Sequence, residues 1–365
     1  MQVDSRCKLI YLYLLRAGIV IFCIALISIF LYAPYVNQLY VTREHINIYT
    51  WAQMFDKKDI EDFETQTNVS VNLIYYDNCE ELLTKLEITK GRTCDLLLLA
   101  DCSIHDLIKM GLLAKIDKNK LNFWQDLEPK LLNQAYDLEN HYAIPYSWDL
   151  YGIGVNLEKF DNQIPPNSWG LIFDVALGAH KVGMIEDGLS AVSIAAQYLY
   201  QDFDLLNIGQ LSRIKELLVQ QKQQVESYTA LRTDYLLSSG TSPVVATQAA
   251  CIYRTMQKNS KIKFLIPQEG GFISTENFAI FRCSTKQDLV YSFINFMFQK
   301  EVVRNYVNKT KFLPVRKDVL HEINLDYIGN KELILNNLSL AKIAFFTYMV
   351  PREEIMRLWM EVKAT

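Results

Sequence analysis

The chain has 365 residues, of which 50% are hydrophobic and 12% aromatic. That is more than one hydrophobic core normally holds, so two domains or two lobes are expected. A net charge of −4 with mixed signs argues against a nucleic-acid binder, which carries a basic patch.

At the N-terminus, Arg6, Lys8 and Arg16 precede an uncharged run from Ala17 to Ala33. A cleaved signal peptide has an apolar region of roughly 7–15 residues and small residues at its cleavage site. Here the run is long and leads into Pro34-Tyr35-Val36, without an A-x-A. A membrane span needs about 17–25 apolar residues. An uncleaved anchor is therefore the expectation, with a cleaved signal as the alternative. The positive residues lie before the run, so the N-terminus should be cytoplasmic and the body exported.

Residues 35–45 read as a linker. The β-prone run Ile46–Trp51 opens the body, and a polar helix from Phe55 to Thr65 follows. Val69–Tyr76 is the next strand, and Cys79–Thr89 is a helix with Leu82, Leu83 and Leu86 on one stripe. Asp95–Leu99 is an unbroken apolar run, as expected of a strand buried on both faces, and Ser103–Met110 is helical. This alternation implies a mostly parallel sheet covered by helices. Ligands on such sheets bind beyond the carboxyl ends of the strands, and Trp51, Asp101 and Cys102 lie there.

After a less regular stretch, Ala143–Asn156 reads as two short strands with Trp148 and Asp149 between them. Lys181–Ile185 is a strand, followed by Glu186-Asp187-Gly188 and a helix over about 190–200. Ile208–Gln223 is amphipathic, Pro243–Ala246 a strand and Thr247–Met256 a helix. In Phe264–Phe281, Pro267 and Gly270-Gly271 break two apolar runs. Past that turn Phe272, Ser274, Glu276, Phe278 and Ile280 share one strand face. Glu276 is thus a single acid among apolar positions. Helices over 286–300, 301–308 and 352–362 complete the chain.

The five histidines are scattered, with no H-E-x-x-H, and no C-x-x-C occurs, so no metal site is expected. The five cysteines of the body, Cys79, Cys94, Cys102, Cys251 and Cys283, are odd in number, so at least one stays unpaired. Gly152-Ile153-Gly154 lacks a third glycine and a strand-to-helix setting, and neither a Walker motif nor a G-x-S-x-G elbow is present. Nothing here supports catalysis or a cofactor, and a non-enzyme is expected.

Four phrases in order carry a resemblance. They are INIYTW at 46–51, DLLLLADCSIHDLIKMGLLAKIDKNKL at 95–121, HYAIPYSWDLYGIGVN at 141–156 and IPQEGGFISTENFAI at 266–280. Together they resemble the bacterial spermidine/putrescine substrate-binding proteins of ABC transporters over roughly residues 46–320. The resemblance implies an α/β, two-lobed periplasmic-binding-protein clamshell of the second type, with mostly parallel sheets, after one N-terminal transmembrane helix or signal segment. Residues 1–44 would be anchor and linker, 45–148 plus 274–310 the first lobe, and 149–273 plus 311–365 the second. Chain crossings would fall near Trp148 and Gly271, with a return after about residue 310.

In that family a linear polycation lies between carboxylates and aromatic faces, which supply charge-assisted hydrogen bonds and cation–π attraction. The resemblance implies that Trp51, Asp187 and Glu276 occupy ligand positions, with Glu276 replacing an aspartate. Trp148 and Gln53 join the candidate set, Gln53 standing where a glutamate is common. Ser190 stands where a glutamate occurs, and Thr247 and Ser274 where tryptophans occur. Asp101 and Asp149 are acidic where the family is usually neutral, and are candidates to compensate. Read without the family, Asp187 and Asp101 are equally helix caps, Asp149 a turn residue and Trp51 a core residue. The implied partners are a polyamine or other small cation, an ABC permease and, through the N-terminal segment, the inner membrane facing the periplasm. The alternative is a tethered sensing or partner-recruiting protein with the same fold and another small solute.

Overall fold

The computed structural model describes residues 13–29, 43–77, 79–89, 91, 93–178, 181–201, 205–229, 232–323 and 343–365. Residues 13–29 are helical and expose Leu14, Ile19, Phe22, Ile24 and Ile29. Among the described residues no helix is long and apolar enough to cross a membrane. The apolar run expected to do so continues beyond residue 29, outside the described residues.

The body is built on eleven strands among the described residues: β1 His45–Thr50, β2 Ser70–Tyr75, β3 Leu96–Ala100, β4 Ile144–Asn156, β5 Val182–Met184, β6 Val225–Tyr228, β7 Val244–Gln248, β8 Ile262–Leu265, β9 Phe272–Ile280, β10 Leu313–Pro314 and β11 Ala344–Phe345. The sheet order is β2-β1-β3-β9-β4-β7-β5-β6, with β8 and β10 paired to β4 and β11 to β9. β1 runs parallel to β2 and β3, and β5 parallel to β6 and β7. These two parallel blocks arise because each strand is followed by a crossover helix. Lys57–Thr67 is one such helix. It starts at Asp56, whose carboxylate accepts from the Lys58 N–H, and stops at Asn68 in the left-handed region.

The blocks are joined by β9 and β4, which run antiparallel to each other and to their outer neighbours β3 and β7. The sheet is therefore mixed, where a mostly parallel one was expected. Two long crossing strands at its centre make the difference.

β4 is also one continuous strand, not two. Trp148 pairs with Thr275 on one side and Leu313 on the other, so the ladder has no gap at Trp148-Asp149. The irregularity falls at Pro145–Ser147, where Pro145 cannot donate. Thr247, expected in a helix, lies within β7, and the helix begins at Ala249.

Strand alternation sends opposite faces of β4 into different cores. Tyr146, Trp148 and Leu150 enter one apolar cluster with Ile46, Phe63 and Phe278, while Ile153 and Val155 enter another with Val192, Ile214 and Trp359. Leu313, Val315, Val319 and Leu320 pack in the first of these clusters. They lie beyond residue 310, where the return to the second lobe was expected.

The Gly270-Gly271 turn is braced. Buried Glu269 accepts from the Ser168 hydroxyl and the Trp169 N–H, and Trp169 Nε1 donates to the Gly270 carbonyl at 2.8 Å. Gly270 has φ 119°, and a Cβ on Gly271 would meet the Tyr151 carbonyl at 2.9 Å. Glycine is required here by geometry.

Candidate ligand-binding site

The candidate residues follow from where strands stop. Trp51 lies just past β1, Asp101 past β3 and Asp187 past β5, all at carboxyl ends of parallel strands. Between the blocks, β4 presents Asp149 and Tyr151 on one face, and β9 presents Phe272, Ser274 and Glu276. Asp149 pairs with Ser274, and Tyr151 with Phe272. Within β9 only Ser274 and Glu276 keep partial exposure.

Trp51 and Glu276 are brought together. Trp51 Nε1 donates to Glu276 Oε2 at 3.0 Å, and the indole packs 4.4 Å from the Tyr76 ring. Burial pushes Glu276 up to about 8. The Trp51 hydrogen bond opposes that shift and the charge of Asp101 adds to it.

Asp101 is buried and held inside the protein. It accepts from the Cys102 N–H at 2.9 Å, the Thr275 N–H at 3.1 Å and the Ser274 hydroxyl at 3.4 Å. Burial raises it to about 7 against these bonds. Asp149 is likewise buried and accepts from the Leu150 and Ala250 N–H groups at 2.8 and 3.0 Å. It thereby caps the helix Ala249–Lys258 from a neighbouring strand, and burial raises it to about 7. Both carboxylates are turned onto backbone donors.

Asp187 is exposed and caps the helix Gly188–Tyr200. Its Oδ2 accepts from the Ser190 N–H and hydroxyl, each at 2.7 Å. Ser190 thus serves the cap. Thr247 is buried and donates to Thr233 at 2.9 Å. Gln53 is exposed on a turn in the left-handed region, φ 67°. Trp148 is withdrawn from the site. Its ring is buried in a core and its Nε1 donates to the Pro314 carbonyl at 3.1 Å, because position 148 points to the opposite face from Asp149.

Tyr151 escaped the sequence reading. Burial drives its hydroxyl far upward, and Asp187, Asp149 and Glu276 all push the same way, so it sits in their combined field. Alternation from Asp149 would have found it. Among the described residues no ion pair reaches Glu276, Asp101, Asp149 or Asp187. No His, Cys, Asp or Glu cluster among them suits a metal ion.

The body is thus two parallel α/β blocks joined by two antiparallel crossing strands, with Asp101, Asp149 and Glu276 on or beside those strands. In comparison with known proteins, residues 58–326 match the model of the bacterial extracellular solute-binding proteins, and the chain belongs to that family. It is 26% identical over 291 residues to the putrescine/agmatine-binding protein of Pseudomonas aeruginosa, covering 74% of this chain and 79% of that protein. It is 25% identical over 289 residues to the spermidine/putrescine-binding periplasmic protein of Salmonella typhimurium, covering 76% and 80%.

Among solved structures, a putative spermidine/putrescine ABC transporter protein from Listeria monocytogenes superposes with a TM-score of 0.78 at 21% identity, covering 88% of this chain and 99% of that one. The spermidine/putrescine substrate-binding protein of Streptococcus pneumoniae gives 0.75 at 18% identity, with coverage of 88% and 99%. These likenesses show the two-domain fold.

Proposed function

We propose that the protein captures a spermidine- or putrescine-like cation between its two lobes and delivers it to an ABC permease. The observation that carries this is a seam of four carboxylates, Glu276, Asp187, Asp101 and Asp149, which no ion pair reaches among the described residues. Glu276 and Asp187 are partly or fully open to a ligand, and buried Asp101 and Asp149 add negative field behind them. A cation placed there would offset the cost of ionising these buried carboxyls. The Trp51 and Tyr151 rings offer faces for methylenes and ammonium groups. Relatives named for putrescine, agmatine and spermidine support the same ligand class.

The body would lie in the periplasm, tethered by the N-terminal apolar segment to the inner membrane. That tether is supported by the uncharged run and the exposed apolar helix over 13–29. For the lobes, the packing of Leu313–Leu320 supports extending the first one past residue 310, so that the last crossing falls between residues 323 and 343.

The test is a thermal-shift panel on the full chain with putrescine, spermidine, cadaverine, basic amino acids and neutral controls. A ligand at 100 times its Kd stabilises by about 2.7 kcal/mol. A shift with polyamines and none with neutral solutes is expected. The same response to every compound, or to none, would remove the reading.

A further inference from the structure

Residues beyond 342 carry a feature that solute binding alone does not require. β11 adds to β9 alongside Phe272 and Ile273, and the Ala344 N–H donates to the Gly271 carbonyl at 3.1 Å. Phe346 then stacks on Phe272, with centroids 4.5 Å apart, and stands edge-on to Tyr151 at 4.8 Å. Tyr348 lies in the field of Cys102, Arg352, Asp106 and Asp187. Met349 is buried, and its carbonyl accepts from the Leu206 N–H. The segment therefore runs along the same seam as the carboxylates.

It packs on one half and reaches the other through Arg352. Phe346, Met349, Ile355, Leu358 and Trp359 pack in the cluster of the second block, and Trp359 Nε1 donates to the Glu186 carbonyl at 2.9 Å. Asp106 lies on the helix Asp101–Lys109, whose Ile104 and Leu107 pack in a separate cluster with Leu97 and Leu99 of the first block. Arg352 Nη1 reaches Asp106 Oδ2 at 3.3 Å, with both side chains about four-fifths buried (19% and 23% exposed).

Each charge sits at an unfavourable helix end. Arg352 is the first residue of its helix, where the partial charge is positive, and Asp106 is in the last turn of its own, where it is negative. Pairing relieves both mismatches. Cys102, on the Asp106 helix, also packs against the second-block cluster.

We propose that residues 343–352 form a strap that latches the two halves across the seam, fastened by the Arg352–Asp106 ion pair, and that ligand exchange requires its release. The inference rests on the reading of the seam as the ligand site, but its principal test needs no ligand. Hydrogen exchange on the ligand-free full chain is compared among wild type, Arg352→Gln, Asp106→Asn, the double variant and the charge swap Asp106→Arg/Arg352→Asp.

Either single change should speed exchange of the amides over 344–349 by about five- to tenfold, with 355–362 still protected as the control for folding. The double variant should be no worse than either single one, and the swap should restore protection. Unchanged exchange in the single variants, or additive effects in the double one, would overturn the latch. Putrescine dissociation should also quicken several-fold in Arg352→Gln. If the wild-type chain binds no putrescine, the ligand reading falls and the exchange comparison alone decides on the strap.

Discussion

At the scale of single residues, four carboxylates near the seam divide by what holds them. Asp101 and Asp149 each accept two or more hydrogen bonds from the chain, at least one of them from outside their own segment, so removing either should chiefly cost stability. Asp149→Ala leaves the Ala250 N–H without its acceptor and should destabilise by about 1 kcal/mol, the usual cost of a lost cap, measured as a lower denaturant midpoint. Polyamine affinity should fall much less.

Glu276 differs, because its described hydrogen bond comes from Trp51 and no ion pair reaches it among the described residues. Glu276→Ala should cost about 1.5–3 kcal/mol of binding, the value of a charged hydrogen bond. Calorimetric titration checks this, and an unaltered Kd would show that Glu276 does not touch the ligand. Glu276 was recoverable from sequence through strand alternation. The burial of Asp101 and Asp149 was not, since their partners at Thr275 and Ala250 are distant in the chain.

At the scale of elements, the helix Gly188–Tyr200 puts one residue to two uses. Asp187 caps it and also faces the seam. Asn caps about as well as Asp, so Asp187→Asn should keep the melting temperature nearly unchanged while weakening polyamine binding. Asp187→Ala should lose both. If Asp187→Asn binds normally, the residue is a cap and nothing more.

The Gly270-Gly271 turn makes a separate prediction. The added methyl of Gly271→Ala would press on the Tyr151 carbonyl, and such overpacking costs about 1–3 kcal/mol. Chemical denaturation would show it. The sequence signalled the turn through its glycines, but not its bracing by Ser168, Trp169 and Glu269, which join positions a hundred residues apart. It also suggested a break at Trp148-Asp149. The pairing of Trp148 with Thr275 and Leu313 closes that break, and this is why Trp148 is core and Tyr151 is at the seam. Segment 343–351 has no period of 2 or 3.6 to announce it, so its position across the seam emerged only from the fold.

At the scale of the whole molecule, the alternating strands and helices indicated an α/β body, and the chain length two parts. The antiparallel crossing strands at its centre required three-dimensional pairing to see. The seam gives the molecule a pH signature. Asp101, Asp149 and Glu276 are raised from ordinary values near 4 to about 7, 7 and 8. Raised carboxyls mean that the folded state holds more protons than the unfolded state between those limits. Their contribution to stability is intact below about pH 4 and is lost as pH rises through about 7 to 8. The ligand-free chain should therefore melt at a lower temperature at pH 8 than at pH 6, and Glu276→Gln should shallow that slope. A cationic ligand selects the ionised carboxylates, so binding should strengthen over the same range and release protons.

The most direct measurement is titration calorimetry of the full chain with putrescine and spermidine at pH 6 and pH 8, in buffers of different ionisation enthalpy. The account predicts saturable binding, tighter at pH 8 by up to about tenfold per pH unit for each proton released, with a buffer-dependent heat that reports that release. Absence of binding, or binding of equal strength at both pH values with no proton release, would contradict an acidic seam built to receive a polyamine.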